Sequence, residues 1–345
     1  MTEPDSRSDA GPWSPGDPWP WTPGSATGIG SLPGRDILEA VKTVLGELPD
    51  LPYLPELPAR GPGADMVGRS AGLLVDMPVE LYAGRWRTAA HGGVDLRRVR
   101  DIWERDLDAL TDGAADFDGP LKVQAAGPWT LAASLDLPIG GRMLRDAGAV
   151  RDLTASLAEG IAAHVAELRT RLPHARLLVQ LDEPSLPAVL AGRVPTESGY
   201  GMLAAIEDTV VTAALADVVS AAGVPVVVHC CAADAPIDLF RAVGACAVAI
   251  DLDLVRDLDP LAEALDSGLG LFAGAVSTDP NAADPSSAAV ADRIKRLWHT
   301  LGFATNQLPD QVVVTPACGL AELSMVRAQK VTTACREAGR RLSDG

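Results

Sequence analysis

The sequence predicts an α/β fold, a single (β/α)8 TIM barrel preceded by an N-terminal arm. Three observations carry the prediction. Eight short β-prone runs alternate with longer helical stretches along the chain. Several of those runs are continuously apolar, as parallel strands covered on their outer face must be. The composition is 47% apolar but only 4% aromatic, which suits β-branched strands wrapped in Ala- and Leu-rich helices. A chain of 345 residues has room for two domains, yet α/β barrels commonly run to ~250 residues or more as one unit.

Residues 1–24 are rich in Pro, Gly, Ser and Trp and read as a flexible arm; Trp13, Trp19 and Trp21 offer it a way to dock, since Trp gains much by burial. The barrel domain is expected over residues 25–345. Its strands are predicted at 26–31, 51–57, 121–127, 177–182, 225–230, 247–252, 270–276 and 311–316. The second is the weakest, because Pro52, Pro55 and Pro58 favour an extended or edge-like path. Apolar spacing at i, i+3 and i+4 predicts helices over 144–171, 207–222 and 288–301. Another starts at Pro260, with Asp259 as its N-cap. The long stretch 61–119 holds more than one helix and reads as an excursion over the barrel mouth.

A net charge of -17 repels phosphate backbones and argues against nucleic acid as a partner. No apolar run reaches the ~18 residues of a membrane span. The first residues lack the basic and apolar regions of a secretory signal, so a cytoplasmic location is expected. Five cysteines, an odd number, argue against a disulfide framework. Cys230, Cys246 and Cys335 read as packing residues.

Chemistry in a TIM barrel sits at the C-terminal ends of the strands. After the fifth run comes His229-Cys230-Cys231, and strand alternation places His229 and Cys231 on one side. After the eighth comes Cys318-Gly319, and Asp251 closes the sixth. Imidazole and thiolates in a reducing compartment favour zinc, and three protein ligands with an open position make a catalytic arrangement. Each residue alone also fits a buried filler. After the fourth run come Asp182 and Glu183, two carboxylates able to bind an ammonium group or serve as acid and base. After the first, Ile29, Gly30 and Ser31 let backbone N–H groups approach a carboxylate. Gly127-Pro128-Trp129-Thr130, after the third, forms a tight rim turn.

In this order the motifs resemble the C-terminal catalytic barrel of the cobalamin-independent methionine synthase family, within the methionine synthase and uroporphyrinogen decarboxylase-like superfamily. The matching pieces are Ile29-Gly30-Ser31-Leu32-Pro33, Asp65-Met66-Val67, Gly127-Pro128, Gln180-Leu181-Asp182-Glu183-Pro184, His229-x-Cys231 and Cys318-Gly319-Leu320. The resemblance implies zinc held by His229, Cys231 and Cys318, with a carboxylate after the sixth strand. It implies methyl transfer from a folate or corrinoid donor to a small-molecule thiol, with homocysteine the default acceptor and methionine the product. Ile29 to Ser31 and Asp182 would hold the acceptor's carboxylate and ammonium.

Three departures stand out. The family's carboxylate ligand is Glu, and Asp251 occupies that position here. The family's ammonium-binding Glu has no counterpart in 59–64, where Arg60 would suit an anion instead. The family's catalytic His after the seventh strand is replaced by Ala275-Val276-Ser277-Thr278-Asp279. Two alternatives stay open: a non-catalytic zinc- or thiol-binding relative, and a metal-free decarboxylase-like lyase, which has no use for the His229, Cys231, Cys318 set.

Overall fold

The structure, a computed structural model, describes residues 17–344. Residues 1–16 of the expected arm, Trp13 included, lie outside the described residues. The strands are β1 Val79–Tyr82, β2 Arg85–Thr88, β3 Pro120–Ala126, β4 Asp136–Leu137, β5 Gly141–Arg142, β6 Arg176–Asp182, β7 Val226–Cys230, β8 Ala247–Asp251, β9 Gly270–Val276 and β10 Val312–Pro316. Six of them form one curled parallel sheet in the order β10-β9-β8-β7-β6-β3. These are the last six predicted strands, displaced by a residue at most.

The first two predicted strands are present as extended segments rather than regular strands, and they close the barrel. Thr27 N–H donates to the Val314 carbonyl (3.1 Å) and Val314 N–H to that of Ser25 (3.0 Å). Leu32 donates to Glu56 (2.8 Å) and Glu56 to Gly30 (3.0 Å). Leu54 donates to Lys122 (3.1 Å), and Lys122 to Pro52 (2.9 Å). The prolines at 52, 55 and 58 have no N–H, so only isolated bridges form there.

β3, β7 and β9 are buried along their whole length, so both faces are covered. The lower interior is filled by Trp21, Leu51, Leu178, Val227, Ala247, Ala249, Phe272 and Val313. Trp21 belongs to the expected arm but is 4% exposed. Its Nε1 donates to the Asp310 carbonyl (2.8 Å) and its ring meets Phe272 edge-on at 5.1 Å. Gly270, the first residue of β9, makes room for it, since a Cβ there would stand 2.5 Å from the Trp21 ring, so this Trp plugs the N-terminal end of the barrel. Above that layer the inward side chains turn polar: Lys122, Gln124 and Gln180, then Asp182 and His229.

The helices Ala147–Arg171, Asp208–Ala221 and Ser287–Thr300 follow the predicted spans closely. The helix expected from Pro260 starts one residue earlier, as Asp259–Asp266, and its N-cap is Leu258. Asp259 is therefore inside the helix, and its own N–H is taken by Asp257 Oδ1 (3.1 Å). The stretch 61–119 holds the helices Met66–Ala71 and Val94–Gly113 with the β1–β2 hairpin between them. That hairpin joins β4 and β5 in a second sheet of four short strands, tying together the connections before and after β3.

Candidate metal centre

His229 lies one residue from the end of β7, and Asp182 ends the neighbouring β6; they are direct cross-strand partners. That register puts both side chains on the inner face, where His229 Nδ1 and Asp182 Oδ1 are 2.7 Å apart. Asp182 Oδ1 also accepts from Gln180 Nε2 (2.7 Å). With the Nδ1 proton shared with the carboxylate, the lone pair of His229 sits on Nε2. That atom is buried and has no hydrogen-bond partner.

Two sulfurs complete the cluster. Cys231 follows β7 directly, and Cys318 follows β10 by two residues. The Cys318 and Cys231 Sγ atoms are 3.2 Å apart, and both cysteines are free thiols. The donor atoms of His229, Cys231 and Cys318 all lie within 4.8 Å of one another. The loop that carries Cys318 is held by Leu320 N–H on the Ser31 carbonyl (2.8 Å). Gly319 permits that approach, since a Cβ there would stand 2.1 Å from Ser31 Oγ. The hydrogen bond between the sulfurs, with the nearby imidazole, pulls Cys318 down to about 6 and pushes Cys231 far up. The pair thus gives up its first proton readily and resists losing the second; a cation among the three donors removes that resistance.

The fit to a soft divalent cation is good on chemistry alone. Two sulfurs and one imidazole suit zinc. The orphaned Nε2 would otherwise be a buried unsatisfied group, and the carboxylate behind the imidazole supplies the outer-shell partner that metal-bound His normally has.

Asp251 does not join this cluster. Its Oδ1 accepts from Asp253 N–H (2.9 Å), and burial, its largest influence, raises its pKa. Glu183 follows Asp182 but faces the other way, as alternation requires. Its Oε1 accepts from Trp129 N–H (2.9 Å), and its Oε2 from Thr130 N–H (2.7 Å) and Oγ1 (2.8 Å). The expected acid/base pair is thus split: Asp182 meets His229 of the three-donor cluster, while Glu183 caps the helix Pro128–Ser134. A Cβ on Gly127 would stand 2.3 Å from Glu183 Oε1, which explains the glycine in the Gly127-Pro128 turn. The Asp65-Met66-Val67 piece is likewise a cap, with Asp65 Oδ1 accepting from Gly68 N–H (2.9 Å). After β9, Asp279 is occupied in a turn with Asn281 (2.8 Å).

Ile29 is held by two interior side chains: its carbonyl accepts from Lys122 Nζ (3.0 Å) and Gln180 Nε2 (2.8 Å). Glu56 was not anticipated. It is 4% exposed, accepts from Gln124 Nε2 (3.2 Å) and lies 3.9 Å from Arg69. Burial pushes it up to about 7, against the pull of Arg69. It is the single acid in the otherwise apolar run 51–57, a signal that the surrounding prolines obscured.

Residues 24–340 match the family described as cobalamin-independent synthase, catalytic domain. A solved B12-independent methionine synthase from Shewanella sp. W3-18-1, in complex with selenomethionine, is similar over 94% of this chain and 98% of its own, with 12% identity and a TM-score of 0.59. That likeness shows a shared fold. A β-methylaspartase from Clostridium tetanomorphum is similar over 96% of this chain and 60% of its own, with 10% identity and a TM-score of 0.43, too slight a likeness to carry a reading. No curated protein matches the chain. No helix among the described residues is long and apolar enough to cross a membrane.

Proposed function

The chain belongs to the family of cobalamin-independent synthase catalytic domains, which are methyltransferases, and on that basis we propose that it transfers a methyl group to a thiol at a zinc site made by His229, Cys231 and Cys318. Homocysteine is the default acceptor and methionine the product. The observation that carries the reading is the buried, unpartnered Nε2 of His229 among two sulfurs.

The roles of the residues follow from their bonds. His229 would hold the metal through Nε2, with Cys231 and Cys318 as thiolates. When bound, zinc supplies Lewis acidity, which lowers the pKa of a thiol and keeps it nucleophilic near neutral pH. Asp182 fixes the His229 tautomer through Oδ1. Its Oδ2 takes no hydrogen bond among the described residues and is open to a substrate ammonium. Glu56 offers a second carboxylate at the same mouth, filling the role that 59–64 lacks. The N–H groups of Gly30 and Ser31 donate to no group among the described residues, which leaves them for a carboxylate. Glu183 is assigned a structural role. The methyl donor, folate or corrinoid, would approach from the C-terminal end of the barrel, where these residues lie. The metal-free lyase alternative leaves the three-donor cluster without a purpose.

The test combines metal content with turnover. The purified protein is expected to carry about one zinc per chain and to methylate homocysteine from a folate or corrinoid donor. Cys231→Ser and Cys318→Ser should each lose most of the metal and all transfer, and Asp251→Ala should keep most of both. Full zinc in both cysteine variants would refute the ligand assignment. No methylation of any thiol by a fully loaded enzyme would move the reading to a non-catalytic zinc-binding relative.

A further inference from the structure

Lys122 is fully buried, and it is the only buried lysine among the described residues. It lies on β3 opposite Leu178 of β6, a member of the apolar layer that Trp21 plugs. Its Nζ donates to the Ile29 carbonyl (3.0 Å) and to Gln124 Oε1 (3.4 Å), and stands 5.1 Å from the centre of the Tyr53 ring. It forms no ion pair among the described residues. A buried ammonium without a paired carboxylate is costly, and an apolar side chain of similar volume would serve a core better. Burial pulls Lys122 down to about 7, while Asp182 and Glu56, acting at longer range, hold it up. A cation retained there against its own solvation points to a role that packing does not supply.

The hydrogen bonds around it show where that role lies. Two branches leave the Ile29 carbonyl. One runs through Lys122 to Gln124, whose Nε2 donates to the Leu54 carbonyl (2.7 Å) and to Glu56 Oε1 (3.2 Å). The other runs through Gln180, whose Nε2 donates to the Ile29 carbonyl (2.8 Å) and to Asp182 Oδ1 (2.7 Å), the oxygen that also meets His229. A single peptide, Ile29–Gly30, is thus tied to both carboxylates of the mouth. Two donors on its carbonyl, one of them an ammonium, fix that peptide and strengthen its own N–H as a donor. The N–H groups of Gly30 and Ser31 have no acceptor among the described residues. Asp182 and Glu56 by themselves would repel a carboxylate arriving there, and the Lys122 ammonium offsets that repulsion.

We propose that Lys122, seconded by Gln180, is a positioning residue that sets acceptor specificity. It holds the Ile29–Gly30 peptide and balances the two carboxylates, so that the site takes a thiol bearing a carboxylate beside its ammonium and rejects the same thiol without the carboxylate. That the ligand is a thiol rests on the function proposed above; the demand for a carboxylate rests on the Lys122 network.

The test is calorimetric titration of the zinc-loaded full chain with homocysteine and, separately, with its decarboxylated analogue, aminopropanethiol. The wild-type protein should favour homocysteine by about tenfold or more, the worth of a hydrogen bond to a charged group. In Lys122→Met, similar in length and uncharged, the preference should fall to near parity through loss of homocysteine affinity alone. Its thermal midpoint should be unchanged or raised, since an unpaired buried charge is gone. A lysine with only a packing role would instead weaken both thiols equally. Gln180→Met keeps the ammonium and should lose part of the preference; it carries the test if Lys122→Met does not fold. Unchanged preference in any variant that folds, or equal weakening of both thiols, overturns the proposal. Equal binding of the two thiols by the wild-type protein also overturns it, while leaving thiol binding at zinc intact. Binding of neither thiol removes the proposal and the acceptor reading together.

Discussion

Replacing Asp182 tests whether the carboxylate behind His229 is part of the metal centre. Its Oδ1 accepts two hydrogen bonds of 2.7 Å, from His229 Nδ1 and Gln180 Nε2. In Asp182→Asn both donors still demand an oxygen, so the amide should present Oδ1 to them. The His229 tautomer then survives and only the negative charge is lost. In Asp182→Ala the acceptor is gone, and the imidazole is free to move its proton onto Nε2, the atom the metal needs. Outer-shell partners of metal-bound His are worth about 10–100-fold in affinity, or about 1.4–2.7 kcal/mol. The asparagine variant should fall near the lower limit and the alanine variant at or beyond the upper. Zinc affinity is measured by competition with a chromophoric chelator at neutral pH, with folding checked by circular dichroism. Wild-type affinity in Asp182→Ala would remove the carboxylate from the metal centre and leave it to substrate binding alone.

Two other outcomes concern stability. Glu183→Gln places an amide nitrogen against the backbone N–H of Trp129 or of Thr130, each of which needs an acceptor. It should cost about 2–4 kcal/mol by denaturant titration, since a buried donor left unpaired costs ~1–3 kcal/mol and a charge-assisted bond is lost as well. Zinc content should be unchanged, and loss of metal with unchanged stability would contradict the capping role. His164 packs edge-on against Trp103 at 4.7 Å, and burial, helped by Arg69, lowers it from 6.5 to about 4. The unfolded chain therefore takes up this proton first as the pH falls, so the stability it contributes is present above pH 6.5 and lost toward pH 4. The effect is limited to about 3 kcal/mol, at 1.36 kcal/mol per unit. His164→Leu should flatten the acid limb of a stability-against-pH curve, and identical slopes in the two proteins would discount the argument.

The sequence by itself determined the barrel and the three residues that gather as a donor cluster. Six strands lay where apolar runs stood between helical stretches, because a parallel strand covered on both faces leaves continuous apolar text. His229, Cys231 and Cys318 were legible because each lies at or just past the end of such a run, and a barrel brings all its strand ends to one rim. Closure of the barrel was less legible. Residues 25–32 and 52–56 pair through single bridges supplied by their neighbours, and such pairing leaves no periodic pattern. The division of labour between Asp182 and Glu183 needed the tertiary structure, since adjacency in sequence says only that the two carboxylates face opposite ways. What each one meets depends on the β6–β7 register and on the Gly127 turn. Glu56 entered the mouth, and Asp251 stayed out of the donor cluster, for the same reason: whether a carboxylate reaches a site is fixed by the backbone path that the surrounding elements impose.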